Sequence, residues 1–223
     1  MLEWSKETVY SPTFEGVKVL ETVPLHDIVP YIDWTPFFHT WELKGIYPKI
    51  LEDPLTGSAA QELFAHAKEL LQKLIEEKWL TAKAVYGFFP ANSNGNDIIL
   101  YTDSTRQKER IRFHTLRQQQ MRASAKPLYA LADFVAPQET GLADYIGAFA
   151  VTTGLGIEPH LKRFEANYDD YNAILLKSLA DRLAEALAEM LHQRVRREWG
   201  YGKEEDLSLE DLIRERYQGI RPA

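Results

Sequence analysis

The sequence predicts an α+β fold, an antiparallel sheet that is bent or runs as a meander and is flanked by helices. Three observations predict it. Residues 82–114 hold three short β-like runs with no helical pattern between them, which fits a meander better than βαβ units. Two segments, one opening at Ser58 and one spanning about 168–199, repeat apolar residues at helical intervals. One run, Tyr145–Val151, is nearly all apolar and reads as a central strand buried on both faces.

In chain order, residues 1–30 are rich in Pro, Thr, Val and acidic side chains. They read as an extended lead-in with a candidate edge strand at Gly16–Leu20, punctuated by Pro24 and Pro30. Tyr31-Ile32-Asp33-Trp34-Thr35-Pro36-Phe37-Phe38 follows, with Trp41 and Glu42 close behind; Pro36 is expected to keep this stretch out of a helix. Gly45–Pro54 is a turn-rich connection. Ser58 and Gln61 have capping-box spacing, and Leu63, Ala67, Leu70, Leu71, Leu74 and Ile75 form the inward face of the helix they open. Its outer face carries Lys68, Gln72, Lys73 and Glu76 and indicates no chemistry.

Residues 82–89 read as a strand ended by Pro90 and the loop Asn92–Asn96. Ile98–Tyr101 is a second strand, and Asn94-Gly95 marks a hairpin between them with a loop longer than two residues. Arg110–His114 alternates and makes a third. Residues 115–127 are polar and basic, a short helix or an exposed loop. Leu128–Val135 and Tyr145–Val151 are two further strand candidates. In the long helix Ile174, Leu175, Leu179, Leu183, Leu187, Leu191 and Val195 give the apolar stripe. Arg194, Arg196 and Arg197 sit in its last turns, where the helix dipole favours cations, and Gly200 and Gly202 end it. A last helix starts at Ser208, with Asp211 at capping-box spacing, and closes near Gly219.

Composition narrows the function. The 223 residues carry a net charge of −7, which argues against nucleic-acid binding through a global basic field. There is no cysteine, so disulfides, thiolate zinc sites and cysteine nucleophiles are excluded. Met1–Glu7 lacks a basic segment followed by an apolar one, and no apolar run approaches a bilayer span. A soluble cytoplasmic protein with no membrane partner is expected.

Few residues declare chemistry. The six histidines are dispersed, and His39 with Glu42 has no third ligand, so no metal site is expected. No phosphate-binding loop, nucleophile elbow or dinucleotide fingerprint is present, and no catalytic residue is assigned. Two features remain. Asp33 is a single carboxylate among four rings: either a half-buried platform presents it to a ligand, or it lies in a core-lining turn and caps a helix or bonds the backbone. By residue type alone the second is the ordinary case. Asp181, Glu185 and Glu189 recur every four residues on the long helix, either as a solvated face beside Lys177 and Arg182 or as a surface for a positive or protonatable group.

A set of separated blocks goes further. YIDWTPFF (31–38), YPKILEDP (47–54), GFFPAN (87–92), LRQQ (116–119), LADFVAP (131–137), DYIGAFAVT (144–152), DDYN (169–172), LADRLAEALAE (179–189) and LIRERYQGIRPA (212–223) together resemble the C-terminal activation domain of cobalamin-dependent methionine synthase. The resemblance runs from about residue 23 to the end, leaving 1–22 as a lead-in, and the order of many blocks makes it specific.

The resemblance implies a module that binds S-adenosylmethionine and helps remethylate oxidised cobalamin held by a neighbouring cobalamin-binding domain, with an electron from flavodoxin or a flavoprotein reductase. It places the ligand-binding acid at Asp33 and the ligand-binding arginine at Arg221, where an R-P-A-P-G-Y motif is matched only as far as Arg221-Pro222-Ala223. Asp181 and Glu185 match acids that approach the cobalt-ligating histidine of the cobalamin domain. The family continues well past this motif, with tyrosines that line the ligand, so the chain reads as C-terminally truncated or shortened. The alternatives are a docking module that recruits a reductase or a cobalamin domain without binding the nucleotide, and a free-standing methyltransferase, for which no substrate base is evident.

Overall fold

The computed structural model describes residues 4–6, 8–119, 127–200, 207–214, 216, 217 and 219. Among the described residues five strands form one sheet: β1 (Gly16–Val23), β2 (Thr81–Asn94), β3 (Asp97–Tyr101), β4 (Glu109–His114) and β5 (Asp144–Leu155), in the order β1-β2-β3-β4 with β5 also pairing β2. The expected meander is β2-β3-β4, antiparallel at both joints, with Ser93 opposite Ile98 and Ile98 opposite Phe113. The helices are α1 (Leu25–Ile28), α2 (Thr35–Thr40), α3 (Gly57–Glu76), α4 (Glu158–Ala166), α5 (Asp170–Trp199) and α6 (Leu209–Ile213).

Several expectations are corrected. β2 does not stop at Pro90 but runs on to Asn94; the β2–β3 register begins at Ala91, so the missing Pro90 N–H removes none of its bonds. The hairpin loop is therefore only Gly95-Asn96, with Gly95 at φ +61°. Leu128–Val135 is not a strand: Leu131–Phe134 is a 3-10 turn, because the Asp133 carboxylate accepts the Ala130 N–H at 2.9 Å and closes the chain on itself. β5 is longer than expected and is not buried on both faces: among the described residues it pairs with β2 alone, and Ala148, Ala150 and Leu155 are exposed.

α3 begins one residue before Ser58. Its start is held by Asp53, whose Oδ1 accepts the Leu55 and Thr56 N–H groups at 2.9 Å each, while Gln61 donates to Leu51 O rather than closing a box with Ser58. α6 has the expected Ser208–Asp211 capping box but ends at Ile213, short of Gly219. On α5 the stripe from Leu175 to Leu191 is buried, whereas Ile174 is exposed.

The chain divides into two compact units. Unit 1 comprises residues 1–18, 86–149 and 193–223; unit 2 comprises 19–85 and 150–192. In unit 1, Ala91, Ile98, Leu100, Ala132 and Val135 form a core cluster, and Phe14, Phe88 and Trp199 pack ring to ring at 4.8 and 5.3 Å. Gly87 has to be glycine, because a Cβ there would stand 2.5 Å from Gly16 O. In unit 2, Ile28, Phe37, Phe38, Leu74, Leu176 and Leu183 are all fully buried. Side chains of this kind contribute about 1.5–3 kcal/mol each.

Candidate functional site

The aromatic stretch lies in unit 2. It does form a helix, α2, contrary to expectation. Pro36 falls in the first turn, where a missing N–H removes no intrahelical bond. Asp33 stands just before that turn, half-buried, and its Oδ1 accepts the Thr35 N–H at 2.9 Å. The structural reading of Asp33 thus describes one of its oxygens. No described residue hydrogen-bonds Oδ2, so half of the carboxylate's capacity stays available beside the rings.

Those rings are fixed. Trp34 meets Phe37 at 5.4 Å and Phe64 of α3 at 4.9 Å, both edge to face, and Tyr47 meets Phe64 at 5.3 Å. Thr35 Oγ1 accepts the Tyr47 N–H at 3.2 Å, which ties the following connection to the same turn. α2 ends where Glu42 takes a left-handed conformation, φ 59°, and the Leu43 N–H returns to Phe38 O at 3.1 Å.

Trp41 then packs 5.2 Å from Tyr171 at the start of α5, and Tyr171 OH lies 2.8 Å from His66 Nδ1. Trp41 Nε1 is buried and has no hydrogen-bond partner among the described residues. Burial pushes the Tyr171 hydroxyl up, and the nearby Glu62 charge adds to this, so Tyr171 stays a neutral donor. Sequence reasoning did not find the Trp41–Tyr171–His66 group. His66 and Tyr171 are separated by 105 positions, and the traces were Trp41 beside the aromatic stretch and Tyr171 inside the block DDYN.

The other expected site residues divide. Asp181 and Glu185 are exposed on successive turns of α5. Asp181 is bonded by its neighbour Arg182 at 2.6 Å, while no described residue pairs with Glu185. No hydrogen bond or ion pair among the described residues joins either acid to Asp33. Arg221 lies outside the described residues. His39 Nε2 lies 3.2 Å from Gly45 O.

Other blocks prove to be scaffolding. In unit 1, Asn92 donates to Ala136 O and Leu142 O at 3.0 and 2.9 Å and accepts from Arg106 at 3.0 Å. Arg106 also donates to Asp144 O at 2.7 Å, and Asp144 Oδ2 accepts the Ala136 N–H at 2.7 Å. The blocks 87–92, 131–137 and 144–152 meet in this network. Among the described residues no helix is long and apolar enough to cross a membrane.

Comparison with known proteins bears on the whole chain. A family model described as vitamin B12 dependent methionine synthase, activation domain, matches residues 24–223. A solved structure, the crystal structure of the MetH reactivation domain bound to AdoHcy, is similar over 100% of this chain and 68% of its own, at 51% sequence identity and a TM-score of 0.94.

Proposed function

The chain belongs to the family of the vitamin B12 dependent methionine synthase activation domain, and from that premise we propose that it binds S-adenosylmethionine and supports reductive remethylation of cobalamin held by a partner domain. The observation that carries this reading is the half-used Asp33 carboxylate among fixed rings. AdoHcy in the solved relative supports it, since AdoHcy and S-adenosylmethionine share an α-ammonium, an α-carboxylate and an adenosyl group.

In this reading Asp33 Oδ2 takes the α-ammonium in a charge-assisted bond while Oδ1 stays on Thr35 and keeps the carboxylate aimed. The rings around it limit water at the bound ligand. The α-carboxylate is assigned to Arg221, whose guanidinium suits it bidentately. The ligand supplies a methyl group that, with one electron from flavodoxin or a flavoprotein reductase, restores methylcobalamin on the partner domain. No group of this chain has to form a covalent bond, and its part is positioning. Asp181 and Glu185, both exposed, would suit a histidine presented by the cobalamin domain, since carboxylates favour the protonated imidazole. The setting is the cytoplasm, and the module occupies residues 23–223.

Calorimetric titration of this chain with S-adenosylmethionine, against Asp33→Asn, tests the reading. Loss of one charge-assisted bond is expected to weaken binding about tenfold or more. Equal affinity of the two proteins sinks the Asp33 assignment. Association with flavodoxin and no nucleotide binding at all would favour the docking module, for which the exposed Asp181 and Glu185 suffice.

A further inference from the structure

Unit 2 also holds a concavity with chemistry of its own. A cleft of about 520 Å³ opens among α3, the turn after it, α4 and the first turn of α5, lined by His66, Glu69, Lys73, Trp79, Arg163 and Tyr171 among others. That volume lies within the range of small-ligand clefts, about 300–1,000 Å³.

Its cations are held in place and at most weakly paired. Arg163 is exposed, and no described residue forms an ion pair with it. Its guanidinium stands 4.8 Å from the centre of the Trp79 ring and 5.3 Å from that of Phe164. Packing over rings fixes the guanidinium and leaves its N–H fork free for an anion. Lys73 Nζ lies 5.5 Å from the same Trp79 ring and only 3.9 Å from Glu77, a long exposed contact that holds it weakly. Trp79 itself cannot swing away. His160 stacks on it at 4.0 Å, and its Nε1 donates to Glu77 at 2.7 Å. Burial and then the Arg163 charge depress the His160 pKa, and the Glu77 charge partly offsets them. Across the cleft Tyr171, 40% exposed, offers a flat ring tethered by His66.

We propose that this cleft binds a small organic anion carrying a flat ring, its phosphate or carboxylate held by Arg163 and Lys73 and its ring laid against Tyr171. Its anion-holding residues, Arg163 and Lys73, are not among those assigned to the methyl donor, although Tyr171, bonded to His66 at its edge, also borders Trp41. The methyl donor assigned to Asp33 carries a sulfonium and an ammonium, and Arg163, which no described residue pairs, together with the weakly paired Lys73 disfavours both. Glu69 is the one acid among the six lining residues named above.

The test follows the Trp79 indole N–H and the Tyr171 amide by NMR in the whole chain during titration with phenyl phosphate, benzoate, phenol and inorganic phosphate. Saturable shifts at both residues are expected with phenyl phosphate or benzoate, and the tighter of the two identifies the anion. Arg163→Ala and Lys73→Ala are each expected to weaken that binding about tenfold, and added salt to weaken it further. Arg163 is exposed, so its variant is expected to keep the parent melting temperature, which separates lost binding from lost fold. Asp33→Asn is expected to leave the titration unchanged, so failure here and failure at Asp33 are distinguishable. Absence of saturable shifts, unchanged affinity in both cation variants, or inorganic phosphate binding as tightly as phenyl phosphate would each overturn the assignment.

Discussion

Unit 1 and unit 2 each set a carboxylate among aromatic rings, and they put it to opposite uses. In unit 1 Asp144 is buried, both its oxygens accept backbone N–H groups, from Ala136 and Tyr145, and Arg106 beside it lies between the Tyr101 and Tyr145 rings at 5.7 and 5.2 Å. Burial pushes the Asp144 carboxyl up, and those N–H groups and Arg106 only partly offset it. In unit 2 Asp33 uses one oxygen, and Trp41 Nε1 uses none of its donor capacity. Both regions set one Asp beside rings. What separates the two carboxylates is how much hydrogen-bonding capacity folding leaves over, none at Asp144 and one oxygen at Asp33. Arg106 Nε beside Asp144 is itself buried without a partner among the described residues, so the contrast lies in the carboxylates, where capacity left over is what a ligand can use.

The sharpest way to break that contrast is to remove a side chain from the closed network. Asn92 is 3% exposed and satisfies two carbonyls and a guanidinium. Asn92→Ala strands Leu142 O and takes one bond each from Ala136 O, which keeps the Ser93 N–H, and from Arg106, which keeps Ala91 O and Asp144 O, so a loss of about 2 kcal/mol is expected in chemical denaturation. A loss under about 1 kcal/mol would mean that the network is decorative.

Next in size is Asp133. It accepts two bonds from Arg117, at 2.6 and 2.7 Å, and the Ala130 N–H. Asp133→Asn is expected to cost on the order of 1 kcal/mol, because partial exposure screens the pair. The bond from Arg117 holds the Asp133 carboxyl below its usual range. Its contribution is therefore present above the unfolded pKa of about 3.9 and lost as pH falls through the lower folded value. Melting curves from pH 6 to pH 2 are expected to bring parent and variant together at the acid end. A gap that persists there would show that the pair's charge is not what stabilises.

How much of this was legible in the sequence follows the same division. Apolar spacing located α3 and α5, and Asn94-Gly95 located the β2–β3 hairpin, because those signals are local. The 131–134 turn was misread because Asp133 is short-range but its clamp, Arg117, is 16 positions away. The start of α3 was misplaced for a similar reason, since the turn leading into it is closed by Asp53 in the preceding connection and not by a cap at Ser58. Asp33 stood out by its surroundings, yet only the resemblance made it a site. Trp41, Tyr171 and His66 come together through packing of α2, α3 and α5, and no spacing rule announces that.

Smaller effects belong to the open region. Trp41→Phe removes a buried donor that has no partner, which offsets part of the apolar surface it also removes. The expected change in stability is under about 1 kcal/mol, while S-adenosylmethionine affinity falls if that N–H is reserved for the ligand. A variant that loses several kcal/mol would show that Trp41 is core rather than site.

Asp33→Asn is expected to disturb the fold least. The amide keeps an oxygen for the Thr35 N–H, and no described residue depends on Oδ2. Stability within about 0.5 kcal/mol of the parent is therefore expected by thermal melting, alongside the loss of affinity expected in calorimetry. The pairing of the two measurements matters more than either alone. If Asp33→Asn destabilised the chain as strongly as Asn92→Ala, Asp33 would be a second closed network, and its open oxygen would have a structural debt that the bonds seen here do not account for. If it changed neither stability nor affinity, the rings of α2 would be core alone, and the ligand's ammonium would have to find its counter-charge elsewhere.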